Sequence, residues 1–172
     1  MKSSCILFII HLPPPVHGAS MMGKYIYDSS VINDAFSCHY INLTTAKDLT
    51  DIGKVRVRKF VQFIFLLRTI YKEVRRLRPQ LVYITPNAKG MPFYKDFIVV
   101  QMLKVMKCKI ILHYHNKGIA SRQNNKLDSC LYRCFFKRVK VIILADVLYA
   151  DVKKYIARED VFVCPNGIPN NS

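Results

Sequence analysis

Two histidines stand two residues apart in "LHYHNKG", His113 and His115, at the end of the apolar run "CKIIL". In an extended strand that spacing turns both rings to one face. Paired imidazoles there polarise a hydroxyl, hold a phosphate or bind metal. No third metal ligand is evident nearby, so no metal is expected. The same pair also fits one buried, hydrogen-bonded ring and one loop ring. Asn116, Lys117 and Gly118 extend the polar cluster.

A second stretch, "PPPVHGASMMGKY" (13–25), contains "GASMMGK". Glycine, four residues, glycine and lysine match all but the last position of a phosphate-cradling P-loop. That last position must offer a hydroxyl to magnesium, and Tyr25 stands there instead. "VIILAD" would supply a magnesium-linked acid, Asp146, at the end of a strand. A P-loop also starts directly off its strand, whereas "PPPV" precedes His17 here. The G-x-G-x-x-G turn of dinucleotide sites is absent. In another reading, Gly18 and Ala19 are small residues at a helix start, where exposed amides and the helix dipole favour an anion. Gly18 would equally serve a tight turn that needs glycine for steric reasons.

The segment "KVRVRKFVQFIFLLRTIYKEVRRLR" (54–78) has nine Lys and Arg against one acid, Glu73. As a helix it places Phe60, Ile64, Leu67, Tyr71 and Val74 on one face and Arg68, Lys72 and Arg75 on another. A basic amphipathic helix of this kind lies on anionic lipid, or packs on a core with its charged face solvated.

The elements that would hold these residues alternate. Strands are expected at 4–11, 37–43, 80–85, 108–115, 141–145 and 161–164. Helices are expected at 18–36, 54–78, 93–107, 126–140 (apolar at 127, 131 and 135) and 146–157, with a polar loop at 44–53. Near-continuous apolar strands separated by helices imply βαβ units and a parallel sheet buried on both faces. Ligands of such sheets bind beyond the carboxyl ends of the strands. That rule selects the loops after the first, third, fourth and sixth strands.

The chain has 172 residues with 51% hydrophobic content, enough for one domain with a core. Lys and Arg outnumber Asp and Glu by 27 to 11, a net charge of +16 that calls for an anionic partner. No helix-turn-helix, zinc-finger or RNA-binding aromatic signature accompanies the charge, so nucleic acid is not expected. The six cysteines form no C-x-x-C pair and read as free buried thiols of a reducing cytosol, with Cys130 and Cys134 sharing a helix face. The initial apolar run is followed by "PPP" and reads as a first strand rather than a signal peptide. No run approaches the ~20 apolar residues that span a bilayer. A cytoplasmic protein is expected, peripheral on the inner membrane face.

Three motifs in order, "PPPVHGAS", "LHYHNKG" and "VFVCPNGIP", give the chain a resemblance to the N-terminal half of family 4 glycosyltransferases, which have the GT-B fold. The resemblance implies a Rossmann-like α/β domain, a parallel sheet with helices on both faces, that binds the acceptor side of a retaining sugar transfer. It implies a nucleotide-sugar donor, a glycan or lipid-linked acceptor, an anionic membrane surface, and no required metal or cofactor. It implies that His115 is the cleft histidine contacting the transferred sugar, with His113 its rival. Gly18 and Ala19 match the glycine-rich turn near the donor phosphates, and Asn166 and Gly167 the hinge-end motif. His17 and Asn116 are expected substrate contacts, and Arg68, Lys72 and Arg75 membrane contacts. The family's donor domain, with its E-x7-E element, would begin where the chain stops at Ser172. Residues 1–172 are therefore expected to form a single acceptor-side domain, inactive alone. The alternatives are a non-catalytic module docked on a membrane or partner, and a P-loop nucleotide hydrolase.

Overall fold

The computed structural model describes residues 4–43 and 54–167. Six strands form one sheet: β1 (Cys5–Ile10), β2 (Ser37–Asn42), β3 (Leu81–Ile84), β4 (Ile110–His113), β5 (Lys140–Ile143) and β6 (Val161–Val163). Their order is β2-β1-β3-β4-β5-β6, and every neighbouring pair is parallel. The helices are α1 (Gly18–Asp28), α2 (Ser30–Ala35), α3 (Lys54–Leu77), α4 (Gly90–Val105), α5 (Lys126–Phe136) and α6 (Tyr149–Val152). This is the expected Rossmann-like architecture. The expected loop at 44–53, the opening residues and the end of "PNGIP" lie outside the described residues.

Alternation along β1 divides the core. Leu7 and Ile9 join the larger cluster, with Ile70 and Val74 of α3, Val99 and Leu103 of α4, and Tyr132 and Phe135 of α5. Ile6, Phe8 and Ile10 point to the other face, under Ile26 of α1 and Ile32 of α2. Helices thus cover both faces. β2 and β3 flank β1, so the order reverses at β1, and the carboxyl ends of β1 and β3 open the crevice in which such sheets bind ligands.

Several elements depart from their expected form. The helix at 18–36 breaks at Ser29, which adopts an extended conformation and caps α2 through its hydroxyl, which accepts the Ile32 N–H. A serine hydroxyl competes well for backbone groups at such a point. Helix α4 begins three residues early, at Gly90, because Pro92 is tolerated in a first turn whose amides lack helical partners. The helix at 146–157 shrinks to one 3-10 turn and the short α6.

The buried seam of α3 runs through Phe63, Ile70 and Val74, whereas Phe60 and Tyr71, expected inside, are exposed. Apolar residues lie on several sides of that helix, and packing on the sheet selects one row. In α5 the seam holds Asp128, Tyr132, Phe135 and Phe136, and Leu127 is exposed. The Asp128 carboxylate draws its side inward by accepting from Arg122 Nε (2.6 Å) and the Tyr94 hydroxyl (2.7 Å). The cysteines are free but none is buried. Cys130 and Cys134 occupy the exposed face of α5, and Cys164 is exposed too.

Candidate functional site

His113 ends β4 and His115 lies two residues beyond, on the face of the sheet shared with α1 and α2. Their rings approach to 4.2 Å between centroids, tilted by 35°. The Tyr83 hydroxyl, on neighbouring β3, is hydrogen-bonded to His113 Nδ1. Burial, then Cys164, raises the Tyr83 hydroxyl well above its ordinary pKa, so it keeps its proton. Burial, then His115, lowers His113 to about 3, so this imidazole is neutral at physiological pH. With the Tyr83 O–H donating, Nδ1 accepts and the ring proton sits on Nε2.

His113 Nε2 and both ring nitrogens of His115 are buried and have no protein partner. Burial lowers His115 as well, and the hydrogen-bonding side chain of nearby Asn166 offsets part of that. Three unpartnered ring nitrogens in one place are uncommon in a folded core. They face a cavity of about 390 Å³, whose other walls include Met22, Tyr25, Cys164, Asn166 and Gly167. The expected pair of histidines and the expected hinge-end pair are therefore brought together.

Of the expected residues at the mouth of α1, His17 lines a different space. A cavity of about 260 Å³ at the β1/β3 crevice is bordered by His11, His17, Asn87, Lys95 and Asp96, with Phe63 and Val99 among its apolar walls. His17 is the N-cap of α1. Its Nδ1 accepts the Ser20 N–H (3.2 Å) while Ser20 Oγ accepts the His17 N–H (2.9 Å), a reciprocal capping box. The rings of His17 and His11 lie 5.8 Å apart. Burial, then the charges of His17 and His115, lowers His11 to about 4.

Gly18 has nothing within 4 Å of the place a Cβ would occupy, and its φ is not positive, so neither sterics nor backbone conformation demands glycine there. That removes the tight-turn explanation and leaves open space beside Gly18. Ala19, half-buried, follows it within the helix. Gly23 is the glycine the fold requires, since a Cβ there would lie 2.0 Å from the carbonyl oxygen of His11.

Asn116 Oδ1 accepts the Ala88 N–H (3.0 Å) and ties two crevice loops together. Asp151 accepts three further amides of the loop after β4, from Gly118, Ile119 and Ala120.

The P-loop reading is overturned. Residues 18–28 are helix throughout, so no loop wraps a phosphate. Lys24 is exposed and pairs with Asp28 at 2.5 Å, and Asp146 pairs with Arg158 at 2.6 Å.

Sequence reasoning missed His11, Tyr83, Asn87 and Asp96. Both the N–H and the side-chain amide of Asn87 donate to Asp96 Oδ2 (2.7 and 2.9 Å), and burial raises Asp96 to about 6. A lone acid in the apolar stretch "FYKDFIVVQMLKVMK" was a readable signal for Asp96. Tyr83 left no signal inside its strand. Arg68, Lys72 and Arg75 are exposed on one stripe of α3, with the Arg75 guanidinium 6.0 Å from the Tyr71 ring centre. Among the described residues no cluster of His, Cys, Asp or Glu is placed to hold a metal ion, and no helix is long and apolar enough to cross a membrane.

A scan against protein-family models finds no match for this chain, and a search of curated proteins finds none either.

Proposed function

We propose that this chain is the acceptor-side domain of a retaining glycosyltransferase, moving a sugar from a nucleotide-sugar donor to a glycan or lipid-linked acceptor. The observation that carries the reading is the group of unpartnered imidazole nitrogens on His113 and His115, facing a cavity whose rim includes Asn166 and Gly167. Neutral imidazoles donate to and accept from sugar hydroxyls without attracting a counter-ion. His115, the more accessible ring, is assigned the contact to the transferred sugar, and His113, locked by Tyr83, backs it. The open space over Gly18 lets a phosphorylated ligand approach the amides of α1. His17 borders the crevice where an acceptor would enter. In this reading a second, donor-binding domain supplies most of the stabilisation of the leaving diphosphate, and the protein works peripherally on the inner membrane face.

The test begins with the reading frame downstream of Ser172, which should encode a second Rossmann-like half with an E-x7-E element. The product of that complete frame, given labelled nucleotide sugars and a membrane lipid extract, is expected to move label into lipid or glycan. No transfer from any nucleotide sugar would contradict the assignment.

A further inference from the structure

We propose that Cys164 is a thiolation site, and that the tripeptide arm of a glutathione mixed disulfide on its sulfur lies across the histidine cleft and fills it. Strand pairing sets the geometry. His113, Ile142 and Phe162 stand level across β4, β5 and β6. The ladder runs on past the strands: the Tyr114 N–H donates to the Ile142 carbonyl (3.0 Å) and the Cys164 N–H to the Ile143 carbonyl (2.8 Å). Counted on by two residues, His115 and Cys164 share a level and a face, two strand spacings or ~10 Å apart. Both border the cavity of about 390 Å³.

Cys164 differs from the other cysteines in what stands beside it. Burial pushes the Cys5 and Cys108 thiols up and keeps them protonated. The Cys38 thiol donates to the Ile32 carbonyl (3.6 Å). Cys130 and Cys134 are exposed on α5, and the groove beside Cys134 is lined by Lys104, Lys107, Lys137 and Arg138 with no histidine. Cys164 is exposed too, but its cavity also holds His113, only 6% exposed, whose Nε2–H has no protein partner. A buried donor left open in this way calls for an acceptor from a ligand. Among the described lining residues no Asp or Glu stands to repel an anionic one.

A glutathione arm meets those demands. Its carbonyl and carboxylate oxygens accept from His113 Nε2–H and from the His115 ring. An extended tripeptide spans about 10 Å, at ~3.3 Å per residue, which is the width from Cys164 to His115. Glutathione disulfide is an anion, and the net charge of +16 draws it to the chain. The exchange is balanced. The Cys164 thiol gives its proton to solvent, and the thiolate attacks one sulfur of the disulfide. The old S–S bond breaks as the new one forms, and the second glutathione leaves as a thiolate that takes up a proton. Excess thiol reverses the step. A filled cleft admits no sugar, and that consequence alone rests on the sugar-transfer reading.

The test equilibrates the 172-residue chain with oxidised glutathione or with cystamine at a fixed thiol-to-disulfide ratio, and locates adducts by peptide mass mapping. With glutathione, the adduct at Cys164 is expected to exceed that at Cys130 about fivefold or more, the contribution of one hydrogen bond. Cystamine carries amines and no oxygen, so it should show no such preference. His115→Ala should lower the glutathione preference for Cys164 and leave the adducts at Cys130 and Cys134 as they are, which also reports an intact fold. The ring-proton resonances of His113 and His115 should shift with the Cys164 adduct, return with dithiothreitol, and stay unmoved in Cys164→Ser. Equal glutathione adducts at Cys164 and Cys130, the same preference with cystamine, a preference unchanged by His115→Ala, or ring resonances unmoved by the adduct would each overturn the proposal. Neither donor nor acceptor is present, so these outcomes are independent of sugar transfer.

Discussion

The Tyr83 hydroxyl, reaching across from β3, binds His113 Nδ1 at the end of β4 and fixes the ring that packs against His115. A tyrosine in a core strand thus orients an imidazole at the sheet edge. Tyr83→Phe leaves Nδ1 of the buried His113 without a partner. Its expected cost is about 1–3 kcal/mol of unfolding free energy, read by urea denaturation. Unchanged stability would show that the bond contributes nothing.

Gly18 and Gly23 should respond oppositely to alanine. At Gly18 the added methyl meets open space and a helical backbone, so stability is expected to stay within about 0.5 kcal/mol. At Gly23 it meets the His11 carbonyl oxygen at 2.0 Å, and α1 must shift off β1. The expected loss is about 3 kcal/mol or more. Thermal melts of the two variants make the comparison.

Stability should depend on pH below neutrality, with two contributions of opposite sign. His11 and His113 are lowered to about 4 and about 3 from 6.5. The unfolded chain therefore binds protons that these rings refuse, and stability falls as pH drops below 6.5. Asp96 is raised to about 6 from 3.8, so the folded chain binds its proton first and gains relative stability as pH falls from 6 towards 4. Asp96 opposes the lowered histidines, His11, His113 and His115, so stability still falls on balance as pH drops through that window. Asp96→Asn removes the opposing term. It should raise stability at pH 7.5 by on the order of 1–3 kcal/mol and steepen the slope below pH 6. A slope unaffected by Asp96→Asn would refute the assignment.

Asp151 should act as the clamp of the loop after β4. Its carboxylate accepts from Gly118 (2.8 Å), Ile119 (3.0 Å) and Ala120 (2.9 Å). Asp151→Ala is expected to speed hydrogen exchange at these three amides at least tenfold more than at β1, because local opening there loses all three acceptors at once. Uniform exchange would place the clamp elsewhere.

The parallel sheet and its loop cluster were legible because apolar strands of three to six residues alternate with helical stretches, a pattern that leaves little choice of topology. The pairing of His113 and His115 followed from strand periodicity alone. The seams of α3 and α5 were not legible, since Phe60, Phe63 and Phe65 offer competing rows and only packing chooses among them. The break at Ser29 is local chemistry hidden inside a longer helical pattern. Tyr83 and His11 entered the site through strand register, which brings Tyr83 beside β4 and leaves His11 at the crevice. Gly23 drew notice as part of a phosphate motif, yet its role is the close approach of α1 to the end of β1.

The most direct test of sugar transfer at this cleft is turnover of His115→Ala in the complete gene product, beside a melt showing an intact fold. Loss of one transition-state hydrogen-bond donor or acceptor predicts a fall in kcat of about a hundredfold or more, with Tm little changed. Near-normal turnover in a folded variant would contradict the assignment of His115 and the cleft with it.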